Sequence, residues 1–297
     1  MIIPPYLKPG DKIGFISTAG IVYQEEIKYA LEVFKSNGFR VVVGKTIGKI
    51  YHNFAGNDDF RLNEIQQFIN DPSIKAIIFT RGGYGTVRII DSIDFSLLIK
   101  NPKWMVGFSD LTILHNHIQR NFDIVSIHGP MAKSLRDNRS KDILLEALTG
   151  KPISYKIKGN KYNLPGTTQG QLVGGNLSLL NNISGTNSDF IADDKILFLE
   201  ETGEYHYHID RMLWGLKRSK DFSKLKGVVI GQFSRMKKNR TPFGKNRYEL
   251  ILEHFEKYNI PVIFDFPAGH NQENFPLYIG RKVKIESSRN FSKLEFL

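Results

Sequence analysis

Apolar runs and amphipathic stretches alternate along the first third of the chain. Lys12–Ser17 is a short apolar run of the kind that forms a buried strand, and Gln24–Ser36 carries apolar residues at helical spacing until Asn37-Gly38 stops it. Phe39–Val43 supplies a second strand, Arg61–Asn70 a second helix with Asp71-Pro72 as its stop, and Ile74–Thr80 a nearly continuous apolar strand. A glycine-rich turn, Arg81-Gly82-Gly83-Tyr84-Gly85-Thr86, follows directly. The pattern then predicts a helix through Arg88–Ile93, a strand at Trp104–Phe108, a helix at Leu111–Gln119 and a strand at Ile124–Ile127. Strands alternating with helices imply a parallel, Rossmann-like sheet covered on both faces, whose ligands sit at the carboxyl ends of the strands. The glycine turn and Ser109 both fall at such ends.

Between about Ser134 and Thr168 the periodicity gives way to charged and polar residues punctuated by Gly150-Lys151-Pro152 and Pro165-Gly166. The chain therefore divides into an α/β domain at 1–150, a linker at 151–168 and a second, smaller mixed α/β domain, rich in strands, at 169–297. That domain opens with a strand at Gln169–Val173, turns at Gly174-Gly175-Asn176 and continues with a helix at Leu177–Ile183. A strand at Lys195–Leu199 ends in Glu200-Glu201, a helix spans Tyr207–Lys217, and Val228–Ile230, Val262–Phe266 and Val283–Ile285 read as further strands.

Composition narrows the chemistry. With 297 residues the chain accommodates two domains of ordinary size. No apolar run reaches membrane-spanning length, and Met1-Ile2-Ile3-Pro4-Pro5 has neither a basic segment nor an apolar h-region, so a cytoplasmic protein without membrane contact is expected. The absence of cysteine removes disulfides, thiolate metal sites and a cysteine nucleophile together. A formal charge of +11 favours anionic partners, among them nucleic acid and substrates with several carboxylates.

Within this frame Ser109 stands out. Met105–Phe108 is an apolar run that ends in Gly107-Phe108-Ser109 and opens into a helical pattern, the form of a nucleophile elbow, with Leu111 where the usual elbow has its last glycine. Ser109-Asp110 also reads as a simple N-cap for the following helix. A serine nucleophile needs a base and an acid to orient it. Glu200 is held at the tip of a buried strand, with Glu201 and Glu204 as competitors, and His270 follows a strand and the turn Pro267-Ala268-Gly269. Serine hydrolases do use the chain order Ser, Glu, His. His206 and His208, like His115 and His117, are two residues apart, which separates them on a helix, so no metal site is expected; His128 before Gly129-Pro130 reads as a structural loop residue. The glycine turn lacks a dinucleotide fingerprint or P-loop spacing. Its free amides suit either a phosphate or, paired with the Asp110 amide, an oxyanion. The basic run Arg235, Lys237, Lys238, Arg240, Lys245, Arg247 reads as a solvated loop, and no nucleic-acid partner is expected.

Arg81-Gly82-Gly83-Tyr84-Gly85, Gly107-Phe108-Ser109-Asp110, His128-Gly129-Pro130-Met131, Gly174-Gly175-Asn176-Leu177-Ser178, Leu199-Glu200-Glu201 with Ile209-Asp210-Arg211, and Gly269-His270 with Asn274 together resemble the LD-carboxypeptidase family. These serine peptidases include muramoyltetrapeptide carboxypeptidases and microcin C immunity hydrolases, and the resemblance runs from Leu7-Lys8-Pro9-Gly10-Asp11 to Gly280. It implies a two-domain α/β hydrolase with Ser109 as nucleophile, Glu200 as acid and His270 as base across an interdomain cleft. The Asp110 and Gly83 amides would form the oxyanion hole, and Gly82, Tyr84 and Gly85 would meet the substrate. The family implies no metal and no cofactor, a small peptide partner, frequent homodimers, and release of the terminal D-alanine of murein tetrapeptides during cell-wall recycling. An immunity-type hydrolase of peptidyl or aminoacyl nucleotides is the alternative enzyme, and a nucleotide-binding module the alternative outside catalysis. Thr18 and Tyr278 depart from the family pattern, which bears on pocket shape.

Overall fold

A computed structural model of the chain describes residues 1–238 and 240–297. Two sheets carry the fold. The first is six-stranded, and five of its strands are parallel: β1 (Lys12–Ile16), β2 (Arg40–Val43), β3 (Ile74–Phe79), β4 (Trp104–Gly107) and β5 (Ser126–His128). The second is seven-stranded and mixed. It holds β6 (Ser154–Lys158), β7 (Gly166–Asn176), β8 (Lys195–Thr202), β9 (Gly227–Ser234), β10 (Val262–Ile263), β12 (Lys282–Ser287) and β13 (Phe291–Phe296), in the order β10-β9-β8-β7-β12-β13-β6. β7 to β10 run parallel, and β12, β13 and β6 extend the sheet antiparallel. The remaining strand, β11 (Leu277–Ile279), leaves this half and pairs antiparallel with β5 in the first sheet.

The helices are α1 (Gln24–Ser36), α2 (Asp58–Asn70), α3 (Ser96–Lys100), α4 (Thr112–Phe122), α5 (Asn138–Thr149), α6 (Leu177–Asn182), α7 (His206–Ser219) and α8 (Arg247–Leu252). Their ends follow capping chemistry. The Asn57 side chain accepts from the Phe60 amide to start α2, Asp137 accepts from Ser140 to start α5, and Gly150 at φ 87° ends α5 in the left-handed conformation. Among the described residues no helix is long and apolar enough to cross a membrane.

Several elements differ from the sequence pattern. The stretch at 151–168, expected as a linker, contains β6 and the start of β7. β6 was hidden because Ser154–Lys158 alternates exposed polar residues with buried Tyr155, as an edge strand does. The helix expected through Arg88–Ile93 is two 3₁₀ turns, Thr86–Arg88 and Ile90–Ser92, separated by Ile89, whose φ of −121° and ψ of −12° lie outside the helical values. The two halves also share their interior. One continuous apolar cluster runs from Ile16, Phe79 and Leu111 in the first half to Val173, Leu197 and Ile230 in the second.

Candidate active site

β4 ends at Gly107, and the next turn lifts Ser109 to φ 62°, a conformation that a non-glycine residue adopts only when its surroundings enforce it. The enforcement comes from below and from the side. His115 on α4 donates from Nε2 to the Gly107 carbonyl (2.8 Å), so its Nδ1 accepts from Ser126 Oγ (2.8 Å). Burial pulls its pKa down to about 4, which keeps this ring neutral. Asp110, also buried, accepts from the Thr86 amide at 2.9 Å and so ties the elbow to the end of the glycine turn. Burial pushes its carboxyl above the usual range, partly offset by the bonds from Thr86.

The glycine turn is shaped around that serine. A Cβ on Gly82 would lie 3.1 Å from Ser109 Cβ and 3.2 Å from its Oγ, so glycine alone leaves the hydroxyl its place. Gly83 follows at φ 117° with its backbone exposed, and among the described residues neither its amide nor that of Asp110 donates within the chain. Tyr84 is 55% exposed and packs against Phe54. Gly85 faces inward, against the guanidinium of Arg61 and the Thr18 carbonyl, and not toward the cleft. Arg61 is fully buried and donates to the carbonyls of Thr18, Gly85 (3.0 Å) and Gly56 (3.2 Å), bracing the turn from behind.

From the other half, β8 delivers two adjacent buried carboxylates to opposite faces of the sheet. Glu200 Oε2 accepts from His270 Nδ1 at 2.7 Å. Glu201 is engaged elsewhere, accepting from Asn176 Nδ2 (3.1 Å), the Thr202 amide (2.8 Å) and Ser178 (backbone amide, 2.8 Å, and hydroxyl), while Glu204 accepts from His208. The close approach of His270 depends on Gly269 at φ 136°, whose Cβ would sit 3.0 Å from Glu200 Oε2. Asn274 Oδ1 accepts from the Gly269 amide (2.9 Å) and fixes this loop. Burial lowers the proton affinity of His270, but the charge and hydrogen bond of Glu200 outweigh it, so its pKa lies above the ordinary histidine value. With Nδ1–H donated to Glu200, Nε2 carries the lone pair a base needs.

Phe108 links the two halves of the site, its ring edge-to-face with His270 at 4.9 Å. Among the described residues no hydrogen bond joins Ser109 to His270, whose Nδ1 is engaged by Glu200, and in serine hydrolases such a bond commonly tightens only with substrate in place. His128 is buried between Phe108 and Phe198, and burial holds it neutral. Thr18 Oγ1 shares a hydrogen bond with Thr86 Oγ1 (2.9 Å) and Tyr278 donates to the Ala147 carbonyl (2.7 Å), so both departures from the family pattern lie in buried packing contacts.

A cleft of about 710 Å³ opens beside His270. Its wall carries Arg81, Lys133 and Arg136 from the first half and Arg235 from the second, with no carboxylate among its lining residues. Elsewhere in the basic run Lys245 pairs with Glu253, and Arg247 with Asp265 at 3.6 Å. Among the described residues no group of three or more histidine, aspartate or glutamate side chains is arranged to hold a metal ion. Arg61 and the Asp110–Thr86 clamp had no individual sequence signal, because the contacts that define them, Thr18 and Gly85 for Arg61 and Thr86 for the Asp110 carboxylate, lie 24 or more residues away along the chain.

Residues 13–129 match the profile of the LD-carboxypeptidase N-terminal domain and residues 169–285 that of its C-terminal domain. The probable murein peptide carboxypeptidase of Bacillus subtilis is 31% identical over 98% of this chain and 94% of that protein. The crystal structure of muramoyltetrapeptide carboxypeptidase from Oxalobacter formigenes superimposes with a TM-score of 0.87 at 29% identity, covering 96% of this chain and 98% of that one. An MccF-like protein from Bacillus anthracis gives 0.88 at 28% identity, covering 100% and 99%.

Proposed function

The chain belongs to the LD-carboxypeptidase family of serine peptidases, and from that premise we propose that it cleaves an L,D-amide bond by acyl transfer through Ser109, releasing the terminal D-alanine of murein tetrapeptides. The observation that carries this reading is the Glu200–His270 hydrogen bond at 2.7 Å, presented beside a serine in left-handed backbone. In the proposed sequence His270 Nε2 takes the Ser109 proton as Oγ attacks the scissile carbonyl carbon. The Asp110 and Gly83 amides donate to the oxyanion that forms, and Glu200 steadies the imidazolium. His270 returns the proton to the departing amine as the C–N bond breaks. Water, deprotonated by the same ring, then splits the acyl-enzyme and restores Ser109.

A second reading, hydrolysis of an amide in a peptidyl or aminoacyl nucleotide, is favoured by one feature. A groove of about 750 Å³ places Tyr207 (45% exposed) and Phe243 (36% exposed) next to Lys238 and Arg240, aromatic faces and cations suited to a base and a phosphate. Both readings meet in one assay. Purified protein is expected to release D-alanine from a murein tetrapeptide with a chelator present, and Ser109→Ala to lower the rate by at least about 10³-fold. Release only from an aminoacyl nucleotide would transfer the assignment to the second reading. Undiminished activity of Ser109→Ala would remove the serine mechanism.

A further inference from the structure

A carboxypeptidase must recognise the free carboxylate at the end of its substrate, and no sequence motif names the residue that does so. We propose that the guanidinium of Arg235 binds this carboxylate and thereby restricts the site to substrates ending in a free acid. The inference rests on the acyl-transfer reading above for what the ligand is, though not for whether the cation binds it.

Four cations line the cleft, and two of them are already occupied. Lys133 Nζ lies 2.5 Å from Glu26 Oε1, and Arg81 Nη1 donates to the Ile21 carbonyl at 2.6 Å. Among the described residues the side chains of Arg136 and Arg235 make neither an ion pair nor a hydrogen bond. Arg235 is set apart by position. It follows β9 directly and lines the same cleft as His270, from the same half of the molecule, and its charge acts on that ring, opposing protonation, whereas Arg136 lines the facing wall from the first half. Its backbone is held at φ 51°, a left-handed conformation that is unfavourable for a residue with a Cβ and is retained where the surroundings impose it.

The chemistry of the leaving group matches that placement. A single Cα separates the scissile nitrogen from the terminal carboxylate, so the two lie within about 4 Å of each other. The nitrogen must reach His270 to receive its proton, and the carboxylate is then delivered beside the same ring. A guanidinium is the cation best suited to hold a carboxylate there, through two parallel N–H donors. The bound carboxylate also neutralises the charge that opposes protonation of His270, at the moment when the imidazolium must form.

The test is binding by calorimetry to the Ser109→Ala protein, which does not consume its ligand. The probes are a stem tetrapeptide ending in D-alanine and the same peptide ending in D-alaninamide. The acid is expected to bind about tenfold tighter than the amide, a difference that shrinks to within about twofold on adding Arg235→Gln and persists with Arg136→Gln. A preference that survives Arg235→Gln, that vanishes with Arg136→Gln instead, or that is absent from the start, whether both peptides bind or neither does, overturns the proposal. Arg235→Lys separates charge from geometry, since a point charge is expected to restore only part of the preference. If the preference is present and Arg235-dependent but wild-type protein releases no D-alanine, the acyl-transfer reading fails while the carboxylate site stands.

Discussion

Burial and neighbouring charges compete on the His270 ring, and their balance governs when it can serve as the base of the proposed mechanism. Burial favours the neutral ring, while the Glu200 carboxylate 2.7 Å away favours the imidazolium and prevails. A base must be unprotonated, so kcat/KM is expected to fall as pH drops through a pKa above the ordinary histidine value. In Glu200→Gln the largest charge favouring the imidazolium is gone and only the weaker influence of Glu201 still opposes burial, so the acid limb moves to lower pH even as the maximal rate falls by about 10³-fold or more. A pH–rate profile of the two proteins checks this, and an acid limb that stays in place would show that another group sets it. The sequence pointed to Ser109, His270 and the pair Glu200-Glu201, because strand ends and glycine turns mark where side chains leave the sheet. It could not choose between the glutamates by pattern alone. Adjacent strand residues face opposite ways, and only the three-dimensional partners, His270 for one and Asn176 with Ser178 for the other, distinguish them.

The glycine turn after β3 and the elbow after β4 behave as one element, since Asp110 grips Thr86 and Gly82 lies against Ser109. Gly82 does not need left-handed backbone, so Gly82→Ala introduces a methyl group without backbone strain. That methyl meets Ser109 Cβ and Oγ at 3.1 and 3.2 Å, tighter than ordinary van der Waals contact, and the hydroxyl must move. The expected result is a loss of about 10²-fold in kcat with Tm changed by no more than about 3 °C, from turnover and thermal melts on the same preparation. A fall in Tm with kcat unchanged would assign Gly82 to packing alone. The parallel βα units were legible because each strand is a dense apolar run. Of the antiparallel strands only β12 was read, at Val283–Ile285; Phe291–Phe296 exposes Lys293 between buried Ser292 and Leu294, and the β11 run is only three residues long. α5 did carry its signals, an Asp137 cap and a Gly150 stop, within a stretch whose charge reads as loop.

A site assembled from both halves works only if the halves hold one orientation, and the interior shows how they do. α4, directly behind the elbow, is fastened to β7: Asn116 Nδ2 donates to the Gly174 carbonyl at 3.0 Å, its Oδ1 accepts from the Gly174 amide at 3.3 Å, and Thr112 Oγ1 accepts from the Asn176 amide at 3.0 Å. Gly175 permits this contact, since its Cβ would lie 2.6 Å from Thr112 Oγ1. β11 adds a second tie by returning from the C-terminal half to β5, beside His128. With these buried bonds and a shared apolar cluster, neither half can expose its inner face without opening the other, so the molecule is expected to unfold as one unit. The chain's two tryptophans make this measurable, because Trp104 lies in β4 and Trp214 in α7. In Trp214→Phe the fluorescence of Trp104 reports the first half, and in Trp104→Phe that of Trp214 reports the second. Within each variant the fluorescence and far-UV circular dichroism curves in urea are expected to superimpose. A fluorescence midpoint separated from the dichroism midpoint in either variant would mean that the halves unfold independently. The alignment of Ser109 with His270 would then depend on a docking equilibrium between them, and catalysis would fall in mild urea before the fold is lost.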